Sequence, residues 1–237
     1  MAGEEHLIDA PEDEEPWTLL FEVAEATPED SWVLVGGLMV HVQAIRAEIV
    51  PSRPTRDVDL LLNIGAARVG DVASPLLQLG FRPLEGRSEL HRLTRGDDVI
   101  DVMSARGVSA RWGSRPVFRA PAAAQAIDRR DTYELRGHTR TVRIGVPDIL
   151  GAIVAKGAAF HEDQRDRERH IEDLVVLAAS AGPVRKLGLD RLTRRDKQHL
   201  RPAIGHLIDG QYSAWFVIDD HDRAIGQRVI AAIAEQL

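Results

Sequence analysis

Trp17, Leu20, Phe21 and Val23 recur on one side of a 3.6-residue period and predict a helix beginning at Pro16. The pattern then changes. "SWVLVGG" compresses its apolar residues into the run Trp32–Val35 and ends in paired glycines, which predicts a strand and a tight turn. Helical spacing returns in "LMVHVQAIRAEI" through Leu38, Val42 and Ile45. "TRDVDLLLN" reads as a second strand, and "AARVGDVASPLLQLG" as a helix with a break at Pro75. Farther on, Glu89–Thr94, the turn "RGDD" and Val99–Met103 form a predicted hairpin, and "DTYELRGHTRTVRIG" a pair of short strands around "RGH".

From "VPDILGAIVAKGAAF" onward the pattern is helical almost throughout, with Pro147 placed at helix position N1 and Asp148 in the first turn. Further helices are expected over Glu168–Ser180, Arg191–Ile208 and Ala224–Gln236. Mixed elements followed by helices predict the α+β class, with an N-terminal domain over residues 17–145 (a mixed sheet flanked by helices) and an α-helical domain over 146–237.

Composition narrows the chemistry. The chain has 237 residues, 44% of them hydrophobic and 28% charged, and no cysteine, which removes disulfides, thiolate catalysis and cysteine-ligated zinc. No apolar run approaches a membrane-spanning length, and the acidic N-terminus lacks the features of a signal peptide, so a cytoplasmic location is expected. The net charge is −7, and residues 1–16 alone carry seven acids and no Lys or Arg. That head is expected to be a mobile, solvated tail, with an electrostatic cover for a basic groove as the alternative.

Two carboxylates lead the second strand. Asp57 and Asp59 are two residues apart, so on a strand they face one side, where they repel unless a cation lies between them. Mg²⁺ prefers oxygen ligands and shares its shell with substrate phosphates. Gly36 and Gly37 allow a backbone approach to phosphate, aided by the following helix N-terminus. The bland reading is that two such acids are turn formers and the glycines an ordinary turn.

"VGGLMVHVQAIRAEIVPSRPTRDVDLLL" resembles the signature of the DNA polymerase β-like nucleotidyltransferase superfamily, and more closely its AbiEii-type branch, known as toxins of toxin–antitoxin pairs. Arg53, Thr55, Asp57 and Asp59 fit the order of that branch's R-x-T-x-D-x-D strand, although the gap from the glycines is long, as an insertion would make it. Downstream, "KGAAFHEDQRDRERHIEDLVVL" is similar to its C-terminal motif, matched by Lys156, by Arg165 or Arg167, and by Asp173. Lys156 on an apolar helix could snorkel to water or, as the resemblance implies, reach a nucleotide phosphate. Asp173 could hold Lys156 or an arginine, or be an exposed helix acid.

Asp101 shares a strand face with Val99 and Met103, and an acid there needs a partner. The resemblance gives it the role of general base or third metal ligand. Asp98 is the competitor, and a hairpin residue at the sheet edge is the bland alternative.

Together the resemblance implies a nucleotidyltransferase fold and an Mg²⁺-dependent transfer of a nucleotidyl group from an NTP. Catalysis would rest on Asp57, Asp59, Asp101, Lys156 and Asp173. Nucleotide binding would rest on Gly36, Gly37, Arg53, Thr55, Lys156, Arg165 and Arg167, and metal binding on Asp57, Asp59 and Asp101. The acceptor implied is a hydroxyl of RNA, with tRNA favoured, or of a protein, and a cognate antitoxin is an implied partner. A small-molecule nucleotidyltransferase of the aminoglycoside-modifying kind and a non-catalytic nucleotide- or protein-binding relative are the alternatives. The basic stretch "RKLGLDRLTRRDKQHLRP" is either a solvated face or an RNA phosphate contact.

Overall fold

The computed structural model describes residues 3–51, 53–163 and 166–237. They fall into two units, one of Met1–Met39 with Thr55–Pro147, the other of Val40–Pro54 with Asp148–Leu237. Asp148 onward is helical as expected, but residues 40–54 belong with those helices rather than with the sheet.

The first unit is built on one mixed sheet. Its strands in chain order are β1 (Glu5–Asp9), β2 (Trp32–Val35), β3 (Asp57–Leu62), β4 (Arg82–Pro83), β5 (Arg92–Arg95), β6 (Asp98–Ala105), a small separate pair β7 (Arg111–Trp112) and β8 (Arg115–Pro116), then β9 (Phe118–Ala120), β10 (Arg130–Arg136) and β11 (Thr141–Pro147). Among the described residues the spatial order is β1-β10-β11-β2-β3-β6-β5-β4, with β9 also on β6. Helices α1 (Trp17–Ala26), α2 (Gly36–Arg46), α3 (Val69–Gln78) and α4 (Ala123–Asp128) punctuate the strands. The chain passes from β2 into α2 with no intervening residue, and the second unit takes over within that helix.

Alternation explains the strand at the centre. Val58, Leu60 and Leu62 of β3 are fully buried on one face. Asp57, Asp59 and Leu61 take the other, where Leu61 packs with Val33, Val35 and Ala105 beneath Ala123 and Ala126 of α4. The leucines thus fix the strand on both faces, and the acids stand where the covered part of the second face ends. The predicted hairpin forms as β5 and β6 around Gly96 and Asp97.

The expected N-terminal tail is a correction. Glu5–Asp9 is a strand parallel to β10, with Ile8 buried. Glu12 is buried and accepts from the backbone N–H and hydroxyl of Thr139 (2.7 and 2.6 Å) and from Arg140 Nε (2.6 Å). A Cβ at Gly137 would collide with Glu12, so a glycine there makes room for the carboxylate. The acidic head is therefore compensated by cations far along the chain: Arg136 bonds Asp9 and Arg143 bonds Glu5. Composition over sixteen residues could not show this.

The second unit contains α5 (Ile149–Glu162), α6 (Arg167–Ser180), α7 (Arg194–Leu207) and α8 (Asp220–Ala234). Asp148 is the N-cap of α5, accepting from Gly151 N at 2.7 Å, while Pro147 closes β11; both lie two positions earlier than the helical pattern implied. α7 starts later than expected because Thr193 and Asp196 form a capping box ahead of its first turn. No helix of the described residues is long and apolar enough to cross a membrane.

Candidate functional site

Strand register assembles the first cluster. Val35 of β2 pairs with Asp59 of β3, Asp59 with Asp101 of β6, and Asp101 with Arg92 of β5. Cross-strand partners share a face, so Asp59, Asp101 and Arg92 form one row. Asp57 stands two residues along β3 on the same side. Asp101 therefore faces the same way as Asp57 and Asp59, while Asp98 pairs with Arg95 at 2.8 Å.

Asp101 is 4% exposed and bound by a two-point fork: Arg92 Nε donates to Oδ1 and Nη2 to Oδ2, both at 2.7 Å. The same Nη2 lies 3.6 Å from Asp57 Oδ2. The hydrogen bond to Asp101 and the fields of Asp101, Asp57 and Asp59 raise the guanidinium's pKa further above its ordinary value. His91 places Nε2 3.7 Å from Asp101 Oδ2, with its ring on Phe118. Burial lowers its pKa, against the pull of Asp101.

Two smaller features set the other acids. The Thr55 hydroxyl, itself buried, donates to Asp57 Oδ1 at 3.4 Å. Gly36 begins α2 at φ +71°, and a Cβ at that position would fall inside the Asp59 carboxylate. Only glycine permits both the dihedral and the approach. Gly37 follows in the first turn of α2, the end of a helix whose backbone N–H groups favour an anion.

The expected three-carboxylate metal site draws on Asp57, Asp59 and Asp101. Among the described residues, no group of three or more His, Cys, Asp or Glu is placed to hold a metal ion. The physical reason lies in Arg92, which engages both oxygens of Asp101. The remaining donors still fit a hard cation: Asp57 and Asp59 supply carboxylate oxygen, and Mg²⁺ commonly takes one or two carboxylates plus phosphate and water.

The second cluster lies wholly in the helical unit. Arg53 Nη2 donates to Oδ1 and Oδ2 of Asp173 at 3.0 and 2.8 Å, and Lys156 Nζ sits 2.6 Å from Oδ2. Lys156 and Asp173 are 5% and 3% exposed, so the lysine neither snorkels to water nor projects outward. Burial alone would raise the pKa of Asp173, but the charges of Lys156 and Arg53 and their hydrogen bonds together leave it below its ordinary value. His41 donates from Nε2 to the Arg53 carbonyl at 2.9 Å, which fixes the backbone behind the guanidinium. Next along α6, burial and the nearby Lys156 and Arg169 charges lower the pKa of His170 to about 4.

The two arginine candidates divide. Arg165 lies outside the described residues. Arg167 is occupied elsewhere: Nε donates to the Phe160 carbonyl at 3.2 Å and the guanidinium lies 4.3 Å over the Phe160 ring. In the basic stretch, Arg191 bonds Asp148 at 2.6 Å, while Arg185, Lys186, Arg194 and Arg195 are exposed.

Sequence reasoning missed Arg92, although a signal was present. With Gly96 and Asp97 as the hairpin turn, counting back pairs Arg95 with Asp98 and Arg92 with Asp101. The motif itself splits, Arg53 belonging to the helical unit and Thr55, Asp57 and Asp59 to the sheet unit. Comparison with protein-family models, with curated proteins and with solved structures finds no match to this chain.

Proposed function

We propose that this chain is an Mg²⁺-dependent nucleotidyltransferase that moves a nucleoside monophosphate from an NTP to an acceptor hydroxyl. The observation that carries the reading is the register of Asp59 and Asp101 across β3 and β6, with Gly36 folded against the Asp59 carboxylate. A non-catalytic relative would have no need of a third acid on the face of Asp57 and Asp59.

In this reading Asp57 and Asp59 hold the cation, and Thr55 orients Asp57. Bound Mg²⁺ would offset the negative charge that develops on the phosphates. Backbone N–H groups at Gly36 and Gly37 bind phosphate oxygen. The acceptor oxygen forms a bond to the α-phosphorus, the bond to pyrophosphate breaks, and the acceptor proton passes to an Asp101 carboxylate oxygen. Arg53 and Lys156, for which the resemblance implies phosphate contacts, are both paired with the Asp173 carboxylate. The acceptor favoured is RNA, tRNA first, with the exposed Arg185, Lys186, Arg194 and Arg195 as phosphate contacts, in a cytoplasmic toxin-like protein with a cognate antitoxin.

The test is incubation with Mg²⁺, each α-labelled NTP and total tRNA, with protein and small alcohols as other acceptors. Transfer is expected from at least one NTP, and its loss is expected in Asp57→Ala and Asp59→Ala with the fold intact. No transfer to any acceptor overturns the reading.

A further inference from the structure

The acid row contains a cation of its own. Arg92 is held by both oxygens of a nearly buried carboxylate, and its outer nitrogen reaches toward a second. The exposures are unequal: the Asp101 side chain is 6% exposed and that of Arg92 40%. The acid is fixed in the sheet and the guanidinium comes to it from the solvent side on a flexible stem. Such a side chain can leave without disturbing the strands. If it leaves, His91 remains 3.7 Å from Asp101.

We infer that Arg92 is a resident counter-cation that competes with a divalent metal ion for the acid row. With Arg92 on Asp101, three carboxylates are kept tolerable to one another and the row is limited to the two oxygen donors of β3. With Arg92 displaced, Asp101 regains both oxygens, as a third ligand or as a proton acceptor. Metal and guanidinium therefore oppose each other twice: they share a ligand, and they repel as like charges at short range. Arg92 acts through Asp101 and is a positioning residue. The inference rests on the proposed metal-dependent reading of this face, and adds that the face is gated from within.

The experiment measures Mn²⁺ affinity by paramagnetic resonance of the free ion, without nucleotide, for the wild-type chain, Arg92→Gln, Arg92→Lys, Asp59→Asn and the double variant Arg92→Gln/Asp101→Asn. Removing the competitor is expected to tighten Mn²⁺ by about tenfold in Arg92→Gln, within the usual range of site–site coupling. Arg92→Lys keeps the charge but loses the fork and is expected to tighten binding less. The double variant loses the regained ligand and is expected to give back most of the gain. If Arg92→Gln fails to fold, Arg92→Lys carries the test, and unchanged affinity there overturns the inference. Wild-type binding that Asp59→Asn abolishes but Arg92→Gln leaves unchanged or weaker overturns the gate and leaves the metal site standing. Absence of Mn²⁺ binding in every variant at millimolar concentration overturns the metal-dependent reading and the gate with it.

Discussion

On the sheet, the carboxylates of Asp101 and Asp57 share the Arg92 guanidinium; among the helices, two cations share one carboxylate. The surroundings differ as much as the signs. Asp57 and Arg92 keep more than a third of their side-chain surface in water, whereas Lys156 and Asp173 are sealed. A charge excess that water can screen is cheap to keep and free to respond to a ligand. A sealed cluster has no screening and must be satisfied internally, so each member depends on the others. The contrast separates two kinds of site residue that look alike in sequence: acids placed to receive a cation, and an acid that already has two.

Substitution at Asp173 should produce the largest effect. Asp173→Ala strands two cations around an empty buried position and is expected to cost about 3–5 kcal/mol in denaturant unfolding. Lys156→Met leaves Asp173 with Arg53 and should cost less, about 1–3 kcal/mol, the worth of a charged hydrogen bond. If the two variants cost the same, Arg53 is not sharing the load.

The sheet cluster should behave in the opposite way. Asp59→Asn and Asp57→Asn are expected to lower nucleotidyl transfer by at least about 10²-fold, the scale of losing a charge-stabilising group. Their stability should stay within about 0.5 kcal/mol of wild type or rise, because each removes a like charge from the row. A large loss of stability in Asp57→Asn would show that the acids are structural and would erase the contrast.

Next comes the turn beside them. Gly36→Ala must place a Cβ in the Asp59 carboxylate at a positive φ, and is expected to cost on the order of 1–3 kcal/mol by thermal unfolding. Gly37→Ala serves as the control, and an equal effect would mean that helix propensity, not the Asp59 approach, is responsible.

The last effect concerns pH. His170 has its pKa lowered from the ordinary 6.5 to about 4, so the unfolded chain binds the proton more readily than the folded one. Its contribution to stability is complete above pH 6.5 and is lost as pH falls toward 4. Urea midpoints for His170→Gln should show a flatter dependence over that window than wild type. An unchanged slope would assign the acid sensitivity elsewhere. Glu12, lowered to about 2, loses its contribution only as pH falls from 4.5 through that value, so the two windows overlap only below pH 4.5.

How much of this was legible follows from range. Asp57 and Asp59 share a face by simple alternation, and Asp101 lies in a hairpin arm whose turn is visible, so period-2 reasoning brought three acids to one side. The hairpin also encoded Arg92, but only after the turn was fixed at Gly96–Asp97. Nothing local encoded the link from Arg53 to Asp173, residues 120 positions apart. The N-terminal acids depart from expectation for the same reason: Thr139, Arg140 and Arg143, far along the sequence, bind them. Lys156 was rightly singled out as unexplained by packing, and its burial on Asp173 shows that an odd charge on an apolar helix can be satisfied inside.

The most direct test of a cation-receiving acid row is anomalous scattering from crystals grown with Mn²⁺ and a non-hydrolysable NTP analogue. The prediction is a single strong peak about 2 Å from carboxylate oxygens of both Asp57 and Asp59, the distance expected for a small divalent ion. A peak bound by other residues, or none with nucleotide present, would contradict it.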